Sequence, residues 1–139
     1  MIKALKTSLY FLCLINVFIS FAHAEEDEAP VKAQYHALKP SFVANFGETT
    51  AKRLKFIKAD ISVMAYSNEA ISAVMDHNSL IRHQVVMSLS AQSEESLATT
   101  EGQEALRVGL LEKVKQVLEE ETGKEQIADL LFTSFVVQR

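Results

Sequence analysis

SEESLATTEGQEALRVGLLEKVKQVLEEETGKEQIADLLFTSFVVQR, residues 93–139, is the stretch on which the fold of this chain turns. Leu106, Leu110, Leu111, Val114, Val117 and Leu118 recur at the spacing of one helical face, which predicts a long helix with a buried stripe. Thr100, followed three residues later by Gln103, reads as a capping box, each side chain satisfying a backbone donor that the first turn leaves unpaired. Gly123 supplies the stop, because a residue without a Cβ enters the left-handed region freely. Beyond it β-branched and aromatic residues take over. At period two, Leu130, Phe132 and Val136 fall on one strand face and Leu131, Phe135 and Val137 on the other. A final strand apolar on both sides needs two covers. The amphipathic helix supplies one; the other is either the rest of the same subunit or a second copy or partner.

Working outward from there, Ile57, Ala59, Ile61 and Val63 alternate with Lys58, Asp60 and Ser62, which predicts a strand with one buried and one solvated face. YHALKPSFVANF, residues 35–46, reads as an earlier strand, with Pro40 at its beginning or on an edge because proline cannot donate to a ladder. The polar run Gly47 to Lys52 closes these two strands into a hairpin. After the hairpin, Ser67 caps a short helix with Ile71, Val74 and Met75 inward. A second helix from about Ser79 to Leu89 presents Leu80, Ile81, Val85 and Leu89, and Ser90 to Ser96 is a polar loop. Met64, Met75 and Met87 are core candidates. The expected class is therefore α/β (α+β): an N-terminal antiparallel hairpin, three helices and a C-terminal strand joining the sheet.

The first 34 residues read differently. Lys3 and Lys6 precede an apolar run that ends in Ala22-His23-Ala24, the small-x-small pattern of a signal peptidase site. A membrane-spanning helix needs about 20 mostly apolar residues, and the run is shorter and contains Asn16 and Ser20. Residues 1–24 are expected to be a cleaved signal peptide, residues 25–34 an acidic tether, and residues 35–139 a periplasmic domain. The alternative is inner-membrane anchoring by residues 9–24, with the domain facing the periplasm. Cys13, the one cysteine, leaves with the signal peptide, so packing alone holds the domain. Removing Lys3 and Lys6 from the fourteen basic residues leaves twelve against eighteen acidic, a net charge of −6 with histidines neutral. Such a balance argues against a nucleic-acid partner, which recruits clustered Lys and Arg.

No catalytic constellation emerges. The four glycines are scattered and form neither a dinucleotide fingerprint nor a phosphate loop, and there is no Gly-x-Ser-x-Gly elbow. His77 and His83 are too far apart to share a helical face as metal ligands. Glu119, Glu120 and Glu121 read as a solvated helix end. Lys52, Arg53, Lys55 and Lys58 form a basic cluster that reads as edge protection on a half-exposed hairpin, or as a docking patch for an acidic partner. No enzyme, cofactor or metal is expected. What rises above background is association.

Four segments carry a resemblance. TTEGQEALRVGLLEKVKQVL, residues 99–118, resembles the Thr-Pro-Glu-Gly-Lys-Glu-Ala-Leu-Arg segment and following helix of the FliL family, the flagellar basal-body-associated proteins. LLFTSFVVQR is similar to that family's Phe-Thr-Asp-Phe-Val-x-Gln ending, with Ser134 in place of the acidic residue. YHALKPSFVANF is similar to its first strand, with Ser41 additional, and IRHQVVMSLSAQSEESL occupies the place of its middle helix and loop. The resemblance implies a stomatin/prohibitin-like domain that assembles as rings around flagellar stator units and supports motility. It implies stator or basal-body proteins as partners, a homo-oligomer or a hetero-oligomer with an anchored FliL, and no catalysis. Gly102, Arg107 and Phe135 are the positions it points to for assembly. Family members keep a transmembrane helix, so a cleavable N-terminus implies a soluble paralogue. A periplasmic binding or accessory module of the same fold, unrelated to motility, is the competing expectation.

Overall fold

The computed structural model describes residues 32–47 and 55–139, so the expectations for residues 1–24, for most of the tether, and for Lys52 and Arg53 lie outside the described residues. Two long strands come first, β1 (Gln34–Asn45) and β2 (Phe56–Ala65). They pair antiparallel, and the Phe46 N–H donates to Lys55 O at 3.2 Å where the hairpin narrows towards its turn. Helices α1 (Asn68–Asp76), α2 (Asn78–Ser90), α3 (Glu94–Leu97) and α4 (Thr100–Thr122) follow, and β3 (Asp129–Gln138) returns antiparallel to β2. The sheet order β1-β2-β3 makes β2 central. The expected hairpin, helical middle and joining C-terminal strand are all present.

β2 has the period-two burial that its sequence dictates. Ile57, Ala59, Ile61 and Val63 are buried, whereas Lys58 is exposed. Both neighbours break step at the same level of the sheet, opposite Asp60 and Ile61. On β1 the register passes from Leu38 against Ile61 to Phe42 against Ala59, so β1 spends two more residues than β2 there. Two is an even number, and Leu38 and Phe42 stay on one face. On β3 the register passes from Phe132 against Ile61 to Phe135 against Ala59, which inserts a single extra residue. That bulge reverses the alternation. Leu130, Phe132, Phe135 and Val137 therefore all face the core, while Leu131 and Val136 face away, which corrects the strict period-two division of this strand. Phe132 and Phe135, on opposite faces of an unbroken strand, have ring centroids 4.7 Å apart here.

The helices cover one side of the sheet. Val74 from α1, Ile81, Val85 and Leu89 from α2, Leu97 from α3 and Leu110, Val114 and Leu118 from α4 join the inner sheet residues in one core. Ser67 caps α1 as expected, its Oγ accepting from the Ala70 N–H at 3.1 Å. The cap of α4 is Thr99, one residue earlier than the expected box: Thr99 Oγ1 accepts from the Gly102 N–H at 3.0 Å. Gln103 instead donates through Nε2 to Leu97 O. Gly123 ends α4 at φ 76°, its N–H bonding Glu119 O at 2.8 Å.

Among the described residues four helices replace the expected three, because Ser93 caps the short α3 within the run expected to be a loop. Four further expectations are corrected. Leu80 is exposed, since the α2 face towards the core is set by Ile81, Val85 and Leu89 at i, i+4 and i+8. Met75 and Met87 are also exposed, and Met64 is half-buried on the outer side of the sheet. Periodicity alone cannot say which edge of an apolar stripe is covered.

Candidate functional site

Gly102, Arg107 and Phe135, the three positions singled out for assembly, each have a defined place in the α4–β3 unit. Gly102 lies where the first turn of α4 crosses α3. A Cβ built there falls 1.8 Å from Ser96 O, so the absence of a side chain is what lets the two helices approach. Phe135 is half-buried on the helix-facing side beside Phe132.

Arg107 holds three groups at once. Its Nε and Nη2 form a fork on Glu104, at 2.8 and 2.6 Å, and its Nη1 donates to Asp129 Oδ1 at 2.5 Å and to Leu130 O at 3.0 Å. Asp129 Oδ1 also accepts the N–H of Leu130. A guanidinium suits this position because its donors are planar and fixed in direction. The Glu104 carboxylate, with Asp129 behind it, makes the Arg107 proton harder to lose, outweighing the opposing effect of burial. Arg107 in turn holds the Glu104 carboxyl below its ordinary range.

A second arginine does the corresponding work on the other edge. Arg82 on α2 donates through Nη1 to Pro40 O at 2.8 Å, inside the β1 bulge, and its guanidinium carbon lies 4.2 Å from the centroid of the Phe42 ring. Each flanking strand is thus tied to a helix by one arginine that bonds a backbone carbonyl. Arg82 and Asp129 carry no local signal for these roles, since their partners lie 42 and 22 residues away.

The remaining candidates separate. His77 Nδ1 lies 3.8 Å from Glu121 and His83 is exposed, so the two histidines do not converge. Lys55 pairs with Glu94, whose carboxyl it holds below the ordinary range, while Lys58 points to the outer side of the sheet. No group of three His, Cys, Asp or Glu among the described residues is placed to hold a metal. A shallow groove between α2 and the first half of α4 is lined by small residues such as Ala91, Ala105 and Gly109 together with the polar Ser88, Gln92, Ser96 and Lys113, and Lys113 donates to Ser88 Oγ at 3.0 Å. No helix among the described residues is long and apolar enough to cross a membrane.

The family model for the flagellar basal body-associated protein FliL matches residues 35–138, which take in all of β2 and β3, all four helices and nearly all of β1. The chain belongs to the FliL family. A flagellar protein FliL from Aquifex aeolicus (strain VF5) is 22% identical over 103 residues, a match that covers 74% of this chain and 60% of that relative. The FliL match begins at Tyr35, one residue into β1, and ends with β3, so the domain described above and the family unit coincide.

Proposed function

We propose that this FliL-family chain is a non-enzymatic component associated with the flagellar basal body, supporting motility through protein–protein assembly in the periplasm with stator proteins as its partners. The observation that carries this reading is the family match across the whole folded domain. The similarity to a flagellar FliL protein points the same way. A sheet with helices on one side is also compatible with the stomatin/prohibitin-like architecture that the reading expects, in which neighbouring domains pack side by side into a ring. Gly102, Arg107 and Phe135 act in this reading by fixing the α4–β3 unit in the shape that a neighbour meets.

The same reading has the chain exported and cleaved after Ala24, with anchoring by residues 9–24 as the alternative. Either way the domain lies in the periplasm. Stator units or the rest of the basal body then supply its location.

The test is a deletion strain scored for swimming in viscous medium, combined with tagged recovery of the protein from envelope extracts. Reduced speed under load and co-purification of stator or basal-body proteins are expected. Normal motor torque with neither class of partner recovered would overturn the reading and favour an accessory module unrelated to motility. N-terminal sequencing of the same material decides between a start at Glu25 and an intact Met1.

A further inference from the structure

The outer side of the sheet carries an apolar surface that no helix among the described residues covers. Tyr35 and Val43 from β1 and Val136 from β3 are 62, 60 and 50% exposed, and Phe56, Met64 and Leu131 lie half-buried between and beside them. All six belong to the face opposite the core, as the register of the two strand pairs requires. At its centre, on β2, are Lys58 and Asp60. They are of opposite charge, two residues apart and on the same side, and neither head group has an ion-pair or hydrogen-bond partner among the described residues. Lys58 is instead flanked across the strands by Val43 and Val136.

We propose that this face binds a second copy of the same chain, the two sheets packing back to back about a two-fold axis that passes between Lys58 and Asp60. The charge arrangement selects that occupant. A two-fold axis reverses the order of the pair, so each Lys58 meets the other copy's Asp60 and each Asp60 meets the other copy's Lys58. Packed sheets lie about 10 Å apart, a gap that a lysine and an aspartate side chain together span. The apolar residues around the charges then exclude water from the contact. The ion pairs fix register and partner choice more than affinity.

Size sets the strength. Three strands about 4.8 Å apart, ten residues long at about 3.3 Å per residue, present roughly 450 Å². Two copies together bury about 900 Å², below the ~1,200 Å² at which stable complexes begin. The pair is therefore weak and concentration-dependent, and it forms where copies are held close together. This inference does not rest on the flagellar reading, and its test is independent of motility.

Sedimentation equilibrium of the purified full chain, over a roughly hundredfold concentration range, tests the proposal with three variants. Lys58→Asp sets carboxylates against carboxylates, and Asp60→Lys sets ammonium groups against each other. Each alone is expected to weaken self-association by about tenfold or more. The double variant, Lys58→Asp with Asp60→Lys, is expected to restore it. A mixture of the two single variants is expected to form a heterodimer, because each supplies the charge the other lacks. Misfolded chains would not recover association on mixing, and any association contributed by the N-terminal apolar run is common to all the proteins. A wild-type chain that remains monomeric throughout, association indifferent to the single substitutions, or failure of the mixture to pair would each overturn the proposal.

Discussion

Arg107 Nη1 and Asp129 Oδ1, 22 residues apart in sequence, are 2.5 Å apart in space and join the second turn of α4 to the first residue of β3. The same guanidinium bonds Glu104 and the Leu130 carbonyl. Replacing it with alanine removes the side-chain donor from that carbonyl and leaves Asp129 with the Leu130 N–H alone, and a loss of about 1–3 kcal/mol is expected from the unfolding free energy in urea. Arg107→Lys should recover less than half of it, because an ammonium cannot reproduce the fork. Equal stability of Arg107→Lys and the wild type would count against the clamp.

The pH dependence of the clamp has a definite sign. The folded Glu104 carboxyl titrates below its ordinary value of 4.5, so its contribution is complete above that value and is lost as the pH falls through and below it. Thermal unfolding midpoints of the wild type and Glu104→Gln should differ at neutral pH and converge in acid. A gap that widens as the pH falls would contradict the assignment. Glu94 beside Lys55 is expected to behave in the same direction.

Two glycines of α4 make opposite predictions. Gly102→Ala places a methyl group against Ser96 O and should cost about 1–3 kcal/mol, the range for overpacking. At Gly109 nothing lies within 4 Å of an added Cβ, and Gly109→Ala should stabilise by about 0.5–1 kcal/mol through helix propensity. Chemical denaturation of the two variants side by side checks the α3–α4 crossing directly.

The face assignment of β3 is tested by adjacent residues. Phe135→Ala removes a half-buried ring from the core side and should cost about 2 kcal/mol. Val136→Ser, on the outer side, should change monomer stability by no more than about 0.5 kcal/mol. Unfolding midpoints in the reverse order would restore an unbroken alternation in this strand.

Where the sequence repeats with a single period, the structure follows it. β2 alternates without interruption, and α4 keeps its stripe from Leu106 to Leu118, so both elements were legible together with the helix start at Ser67 and the stop at Gly123. Thr99 and Thr100 are chemically equivalent caps, and only the path of the backbone leaving α3 selects the first. The exposure of Met75, Met87 and Leu80 depends on the angle at which α1 and α2 meet the sheet, which an apolar pattern does not encode. Of the three assembly candidates, the sequence placed Gly102 and Arg107 near the start of α4, but their contacts with Ser96, Asp129 and Leu130 arise only on folding. Phe135 was assigned to the wrong side because the irregularity before it has no compositional mark: Thr-Ser is ordinary strand sequence.

That irregularity makes Thr133 act like a frameshift within the strand. Its hydroxyl donates to Asp60 O at 3.2 Å, so the residue that breaks the alternation is also bonded at the break. Deleting it would close the bulge into regular alternation, with Ser134 still outward opposite Asp60 and Phe135 and Val137 still towards the helices, whereas deleting one residue from the regular ladder beyond it would send the residues that follow to the opposite face. The segment Lys39–Ser41 on the opposite edge carries two surplus residues, and there only the loss of both preserves parity. Length variation in this domain should therefore be tolerated in pairs at the irregularity of the first strand and singly at Thr133 on the last.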